Sequence, residues 1–130
     1  PGMKALPPEP DDDDSEKATV IAENLLTAHS DLGGFFGVSA PGGPGAARAV
    51  KAANKVGKVK VVGFDDMAEC RQFIKEGVIQ ATIAQRPFEM GYRSIKVLVA
   101  AHKGRPPEKQ VMDTGVTVIT KEKLEEMEPE

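Results

Sequence analysis

Two adjacent carboxylates close the run VVGFDD at 61–66. Paired carboxylates at the end of an apolar, strand-like run have three common uses: holding magnesium for phosphoryl transfer, sharing a proton in acid–base work, or accepting hydrogen bonds from vicinal hydroxyls. A phosphate-accepting site would need a further Asp and a Lys at two other strand ends, and those ends offer Ser39 and Gln85. The remaining assignment gives Asp65 the role of hydroxyl acceptor, while Asp66 caps the helix expected to begin at Met67.

A second candidate is VSAPGGPGAARAV at 38–50, where Pro41 to Gly45 hold three glycines and two prolines. An apolar run, a glycine-rich loop and a helix is the order used to cradle phosphate. The segment nevertheless lacks the Lys-Ser/Thr pair of a P-loop and the G-x-G-x-x-G of a dinucleotide fingerprint. Its glycines and prolines read better as a tight turn into a helix, with Pro44 in the first turn, where its missing N–H costs nothing. Ser39 remains as the hydrogen-bonding group of that loop. His29 and His102 fall near helix ends, where imidazole interacts with the dipole. The single cysteine, Cys70, permits no intrachain disulfide, and no Cys/His spacing suits zinc, so a small buried hydrophobe is its expected role. No nucleophile has a base placed to activate it, so a binding protein is favoured over an enzyme, with no cofactor and no metal.

These groups must be positioned by elements that alternate in type. Strand-like runs occur at 3–6 (MKAL), 34–38, 58–64, 79–84 and 111–120. Between them Ala18, Ile21, Ala22, Leu25 and Ala28 share one helical face. Ala46, Val50 and Ala53 form a second stripe, Met67, Cys70 and Ile74 a third, and Phe88, Tyr92, Ile95 and Leu98 a fourth. Gly57, Gly77 and Gly104 follow helical patterns, as C-terminal caps do. Alternation of this length predicts an α/β fold: a three-layer, flavodoxin-like, doubly wound parallel sheet with helices on both faces. The closing KEKLEEMEPE reads as a short charged helix that frays over 121–130.

The chain has 130 residues, one domain's worth, with 17 Lys and Arg against 20 Asp and Glu, a net charge of −3 and no basic stripe for nucleic acid. No apolar run reaches the length of a membrane span, and no basic-then-apolar leader opens the sequence. The abrupt start, PGMKAL, is what a chain cut from a longer one would show.

In open parallel sheets ligands bind beyond the carboxyl ends of the strands. That edge collects 7–14, Ser39 to Pro44, Asp65 and Asp66, and Gln85 and Arg86. The run DDDD at 11–14 sets negative charge at a helix start, and Asp13 and Glu16 have capping-box spacing. A calcium loop is the other use of such a run, but the glycine and terminal Glu of an EF-hand are missing.

Four stretches in order, ENLLTAHSDLGGFF, GAARAVKAANKVGKVKVVGFDD, IKEGVIQATIAQRPFEMGY and DTGVTVIT, resemble the carboxy-terminal lobe of ribose-type periplasmic sugar-binding proteins. These are the receptors of bacterial ABC sugar importers. The resemblance runs from about Lys4 to Lys123. It implies one partial lobe of a two-lobe receptor that closes about a hinge on a sugar or sugar alcohol and presents itself to a membrane permease, in the periplasm or outside the cell. It also assigns residues: Asp65 matches the family's sugar-hydroxyl-binding aspartate and Gln85 its hinge-side glutamine. Ser39 stands where ribose binders have an asparagine, Ala40 and Pro41 where they have acidic residues, and Asp13 falls near a position some members fill with an aromatic. With no Trp, one Tyr and five Phe, the chain has little surface for stacking on a sugar ring. The face of Phe88, Tyr92, Ile95 and Leu98 would pack on the other lobe of a full-length member. A homo-oligomer covering an exposed edge or helix surface is therefore expected. VVGFDD and RPFEMGYRS also resemble the effector domain of lactose-repressor-type regulators, and DTGVTVITKE favours the receptor. A flavodoxin-like enzyme or phosphoacceptor is a third class, weakened by the missing motifs.

Overall fold

The computed structural model describes residues 2–107 and 109–128. Its elements follow in the order α1 (Ser15–Ala28), β1 (Gly34–Phe36), α2 (Gly42–Ala52), β2 (Lys60–Phe64), α3 (Ala68–Lys75), β3 (Ala81–Ala84), α4 (Pro87–His102), β4 (Thr117–Ile119) and α5 (Lys121–Met127). The four strands lie side by side in chain order. β1, β2 and β3 are parallel, whereas β4 runs antiparallel to β3, with Thr82 opposite Ile119 and Ala84 opposite Thr117.

The sheet is therefore mixed, which corrects the all-parallel expectation at its last strand. Strand period reports which residues share a face, and carries no direction. The strand read at 3–6 does not form: residues 2–10 have no regular secondary structure and Met3 is 98% exposed. A strand needs a neighbour to satisfy its backbone, and this run meets none. Residues 111–116 likewise stay outside β4.

Three parallel strands laid down in one direction place their right-handed crossover helices on one face. Burial agrees. Phe35, Val61, Ala84 and Ile119 share one core with Ala22 and Leu26 of α1, Val50 of α2, Ile74 of α3 and Leu124 of α5. The opposite sheet face is open: Phe36 and Val118 are more than half exposed, and Val62, Phe64 and Ile83 are only partly covered. The expected helices on both faces are thus found packed on one, because the strand order never reverses.

The glycine-rich segment is a packing device. A Cβ at Gly43 would stand 2.7 Å from Gly63 Cα, and one at Gly45 2.7 Å from Ala18 Cβ. Only glycine lets α2 lie this close to β2 and α1. Cys70 is buried in the same core, and desolvation raises its thiol pKa. It acts as the small apolar group expected.

α4 is the exception. It is the longest helix here, with 16 residues, yet buries none of them. Phe88 stacks on Tyr92 with ring centroids 6.3 Å apart, and both are exposed. By contrast α5, expected to fray, is docked as far as Glu128. Thr120 caps it, Leu124 is 1% exposed, and Glu128 pairs with Arg71 and Lys75. Pro129 and Glu130 lie outside the described residues.

Candidate ligand-binding site

The site is built on the step from β2 into α3. Asp65 has a left-handed backbone, φ 63°, an uncommon conformation for a residue with a side chain and one that clusters where a structure over-determines it. Strand β3 does the determining. The Asp65 N–H donates to the Ile83 carbonyl at 2.9 Å, and the fully buried Thr82 hydroxyl donates to the Asp65 carbonyl at 2.7 Å. Gln85, one residue past β3, donates its Nε2–H to Asp65 Oδ1 at 2.8 Å. A carboxylate can only accept, so the amide nitrogen must face Asp65 and the amide oxygen is left as an acceptor. Asp65 Oδ2 accepts no hydrogen bond among the described residues.

Asp65 and Gln85 line, with Asp66, Pro87 and Met90, an open cleft of about 410 Å³ at the carboxyl end of the strands. Asp65, read as the hydroxyl acceptor, and Gln85, the hinge-side glutamine by resemblance, are thus brought together. Asp66 differs from expectation. It does not cap α3, whose N-cap is Met67 without a side-chain bond. Instead it takes Arg71 Nε and Nη2 in a two-pronged pair, both at 2.6 Å. These hydrogen bonds, with one that Arg71 donates to Glu128, push the Arg71 guanidinium above its ordinary pKa. Asp66 is therefore committed to structure.

Ser39 lies just past β1. The cleft beside Asp65 does not include it. The Ser39 hydroxyl donates to Asp11 Oδ2 at 2.9 Å. Asp11 Oδ1 accepts the Asp13 N–H at 3.0 Å, closing a turn in which Asp12 and Asp13 take φ 52° and 60°. Asp13 itself is exposed, and among the described residues its side chain shares no hydrogen bond with Ser39, Asp65 or Gln85. The capping role also moves by one: Asp14, not Asp13, accepts the Lys17 N–H at 2.8 Å. Asp11 is the residue that sequence reading missed. Four identical side chains in a row conceal which one turns toward the sheet, and the only available signal was the separation of Asp11 from the helix start. His29 and His102 sit at the ends of α1 and α4, as read. No group of three or more His, Cys, Asp or Glu placed to hold a metal occurs among the described residues.

The sheet thus presents a polar, acceptor-bearing carboxyl edge from which one helix, α4, departs with none of its residues buried. Comparison with known proteins makes this specific. Residues 1–106 match the periplasmic binding protein domain, and the chain belongs to that family. It is 37% identical over 102 residues to the ribose import binding protein of Salmonella typhimurium, covering 78% of this chain and 34% of that one. It is 35% identical over 101 residues to the D-allose-binding periplasmic protein of Escherichia coli, 78% of this chain and 32% of the relative. An ABC transporter solute-binding protein from Burkholderia graminis, solved with D-arabinose, superposes with a TM-score of 0.82 at 38% identity, over 94% of this chain and 43% of that one. The chain therefore spans about a third of the curated relatives it matches.

Proposed function

We propose that this chain is a ligand-binding lobe of the solute receptor of a bacterial ABC sugar importer, and that Asp65 receives ring hydroxyls of a sugar or sugar alcohol. The single observation that carries this is the clamped, left-handed Asp65 with one carboxylate oxygen bonded by Gln85 and the other free at the cleft. Aiming a carboxylate in advance removes part of the ordering cost of binding. Gln85 acts with it, and Ser39 and Asp13, on the loops after β1 and before α1, are assigned to the same ligand. The work is binding without catalysis, completed by closure of a second lobe and delivery to a permease, in the periplasm. Relatives named as a ribose import binding protein and a D-allose-binding periplasmic protein support this reading over the lactose-repressor-type effector domain.

This edge alone supplies part of a cleft, so the chain by itself binds sugar more weakly than the micromolar range. Amide spectra titrated with D-ribose, D-allose and D-arabinose, for the native chain and for Asp65→Ala, test the reading. Shifts at Gln85 and its neighbours should appear in the native chain and vanish in the variant. Equal responses would remove Asp65 from the site.

We further propose that the isolated chain self-associates through α4 and the open sheet face. A compact monomer of this size exposes about 6,700 Å², whereas this chain exposes 9012 Å². The excess is roughly what one partner of a large obligate interface buries. Light scattering should show a dimer or larger species whose population falls with dilution and with Phe88→Ser. A monomer at high concentration would refute it.

A further inference from the structure

The turn at Asp65 is held from two sides. From β3, Ile83 takes its N–H and Thr82 bonds its carbonyl. From α3, Arg71 takes hold of the next residue: its Nε and Nη2 reach the two oxygens of Asp66, both at 2.6 Å, and Asp66 lines the same cleft. A left-handed aspartate persists where its surroundings over-determine it, and here both ends of the peptide between 65 and 66 are fixed.

Arg71 is itself held. Its Nη1 donates to Glu128, the residue after α5, and Glu128 Oε2 also accepts from Lys75 Nζ at 2.7 Å. α5 is seated independently of these charges, by the Thr120 cap and by Leu124, and it lies beyond residues 1–106, the part that matches the family. A guanidinium suits this bridge because its donors form a rigid planar fork, so that fixing one edge on Glu128 fixes the edge offered to Asp66. The pairing also leaves the cleft with one uncommitted carboxylate in place of two. Both Asp66 oxygens are taken by Arg71, whereas Asp65 Oδ2 accepts no hydrogen bond among the described residues.

We infer that Arg71 is a positioning residue of the cleft: it fixes the α3 side of the turn that aims Asp65, and through Glu128 it ties that aim to the docking of α5. It acts through Asp66 and not on the ligand. The geometric half of this inference, that Arg71 holds the turn, stands by itself; the binding half rests on the receptor reading above.

Amide hydrogen exchange at residue 65, without sugar, tests the geometric half, because that N–H is bonded to Ile83 and reports local opening of the turn. The Arg71 and Asp66 side chains are 27% and 29% exposed, so Arg71→Met should quicken this exchange by roughly fivefold, the order set by a partly exposed ion pair. Asp66→Ala should do the same, and the double variant should add nothing, since each removes one link of a single chain. Arg71→Lys, which keeps the charge and loses the fork, should recover less than half of the protection. Glu128→Gln should quicken exchange by about twofold. Lys51→Met, which breaks the Lys51–Glu76 pair away from the cleft, is the control for stability alone and should leave residue 65 at the native rate. Equal rates at residue 65 in Arg71→Met and Lys51→Met would overturn the inference. Titration with D-ribose and D-allose, followed by the amide shifts of residues 65 and 85, tests the binding half. Affinity should fall by about the same fivefold in Arg71→Met. Native affinity in a variant whose turn has loosened would overturn the binding half. If neither sugar shifts the native chain, the receptor reading and the binding half fall together, and the exchange rates still decide whether Arg71 holds the turn.

Discussion

Helices α2 and α4 invert the usual relation between hydrophobicity and burial. α2 is the shorter, built of glycine, alanine, one proline and one valine with two cations, and it buries seven of its 11 residues. α4 carries Phe88, Tyr92, Ile95, Leu98 and Val99 and buries none of its 16. Small residues let α2 touch β2 and α1 backbone to backbone, so that close packing follows from shape. Large apolar side chains create the demand for a partner without supplying one. The covered side of the sheet is a finished core, and α4 with the open face is a surface still to be matched.

Gly43→Val should produce the largest effect. Its side chain would be driven into the Gly63 backbone, and a loss of about 3 kcal/mol is expected, read by denaturant unfolding. Ile95→Ser, in dilute solution, should change stability by no more than about 0.5 kcal/mol. A loss at Ile95 equal to that at Gly43 would erase the contrast between the helices. Thr82→Val comes next. It leaves the Asp65 carbonyl without its buried donor, for about 1–3 kcal/mol, and should broaden the amide signals of residues 64–66 while leaving α4 unchanged. The smallest effect belongs to Glu128, which fastens α5 to α3. Its carboxyl is held below the ordinary glutamate value, first by Lys75 and then by Arg71. A lowered folded-state pKa contributes stability above the unfolded value, lost as pH falls through the acid range. Glu128→Gln should therefore lower the melting temperature slightly at neutral pH and match the native chain at low pH. A difference persisting in acid would assign the effect to packing.

The sequence showed the helices of the covered core through the spacing of Ala18, Ala22, Val50, Cys70 and Ile74. It also placed Asp65 and Gln85 just past strand ends, because apolar runs show where strands stop. The direction of β4 was hidden, since alternation at 117–119 is the same either way along the chain. The strand expected at 3–6 failed for a related reason: local propensity names a candidate, and a neighbour decides. Asp11 was hidden by its own likeness to Asp12, Asp13 and Asp14. Asp66 was misread because a capping aspartate and one that binds Arg71 look alike until the helix brings residue 71 round to meet it.

The left-handed turn at Asp65 bears on how the ligand preference of the proposed site could change. Few side chains tolerate φ 63°: glycine, asparagine and aspartate do so readily, and β-branched or bulky ones do not. Position 65 thus admits a very short vocabulary, fixed by backbone geometry before any ligand is considered. Ser39 and Gln85 carry no positive φ, and their alphabets are open. New ligand preferences, whether selected or engineered, should accumulate at those two neighbours around an anchor that the chain itself can scarcely rewrite.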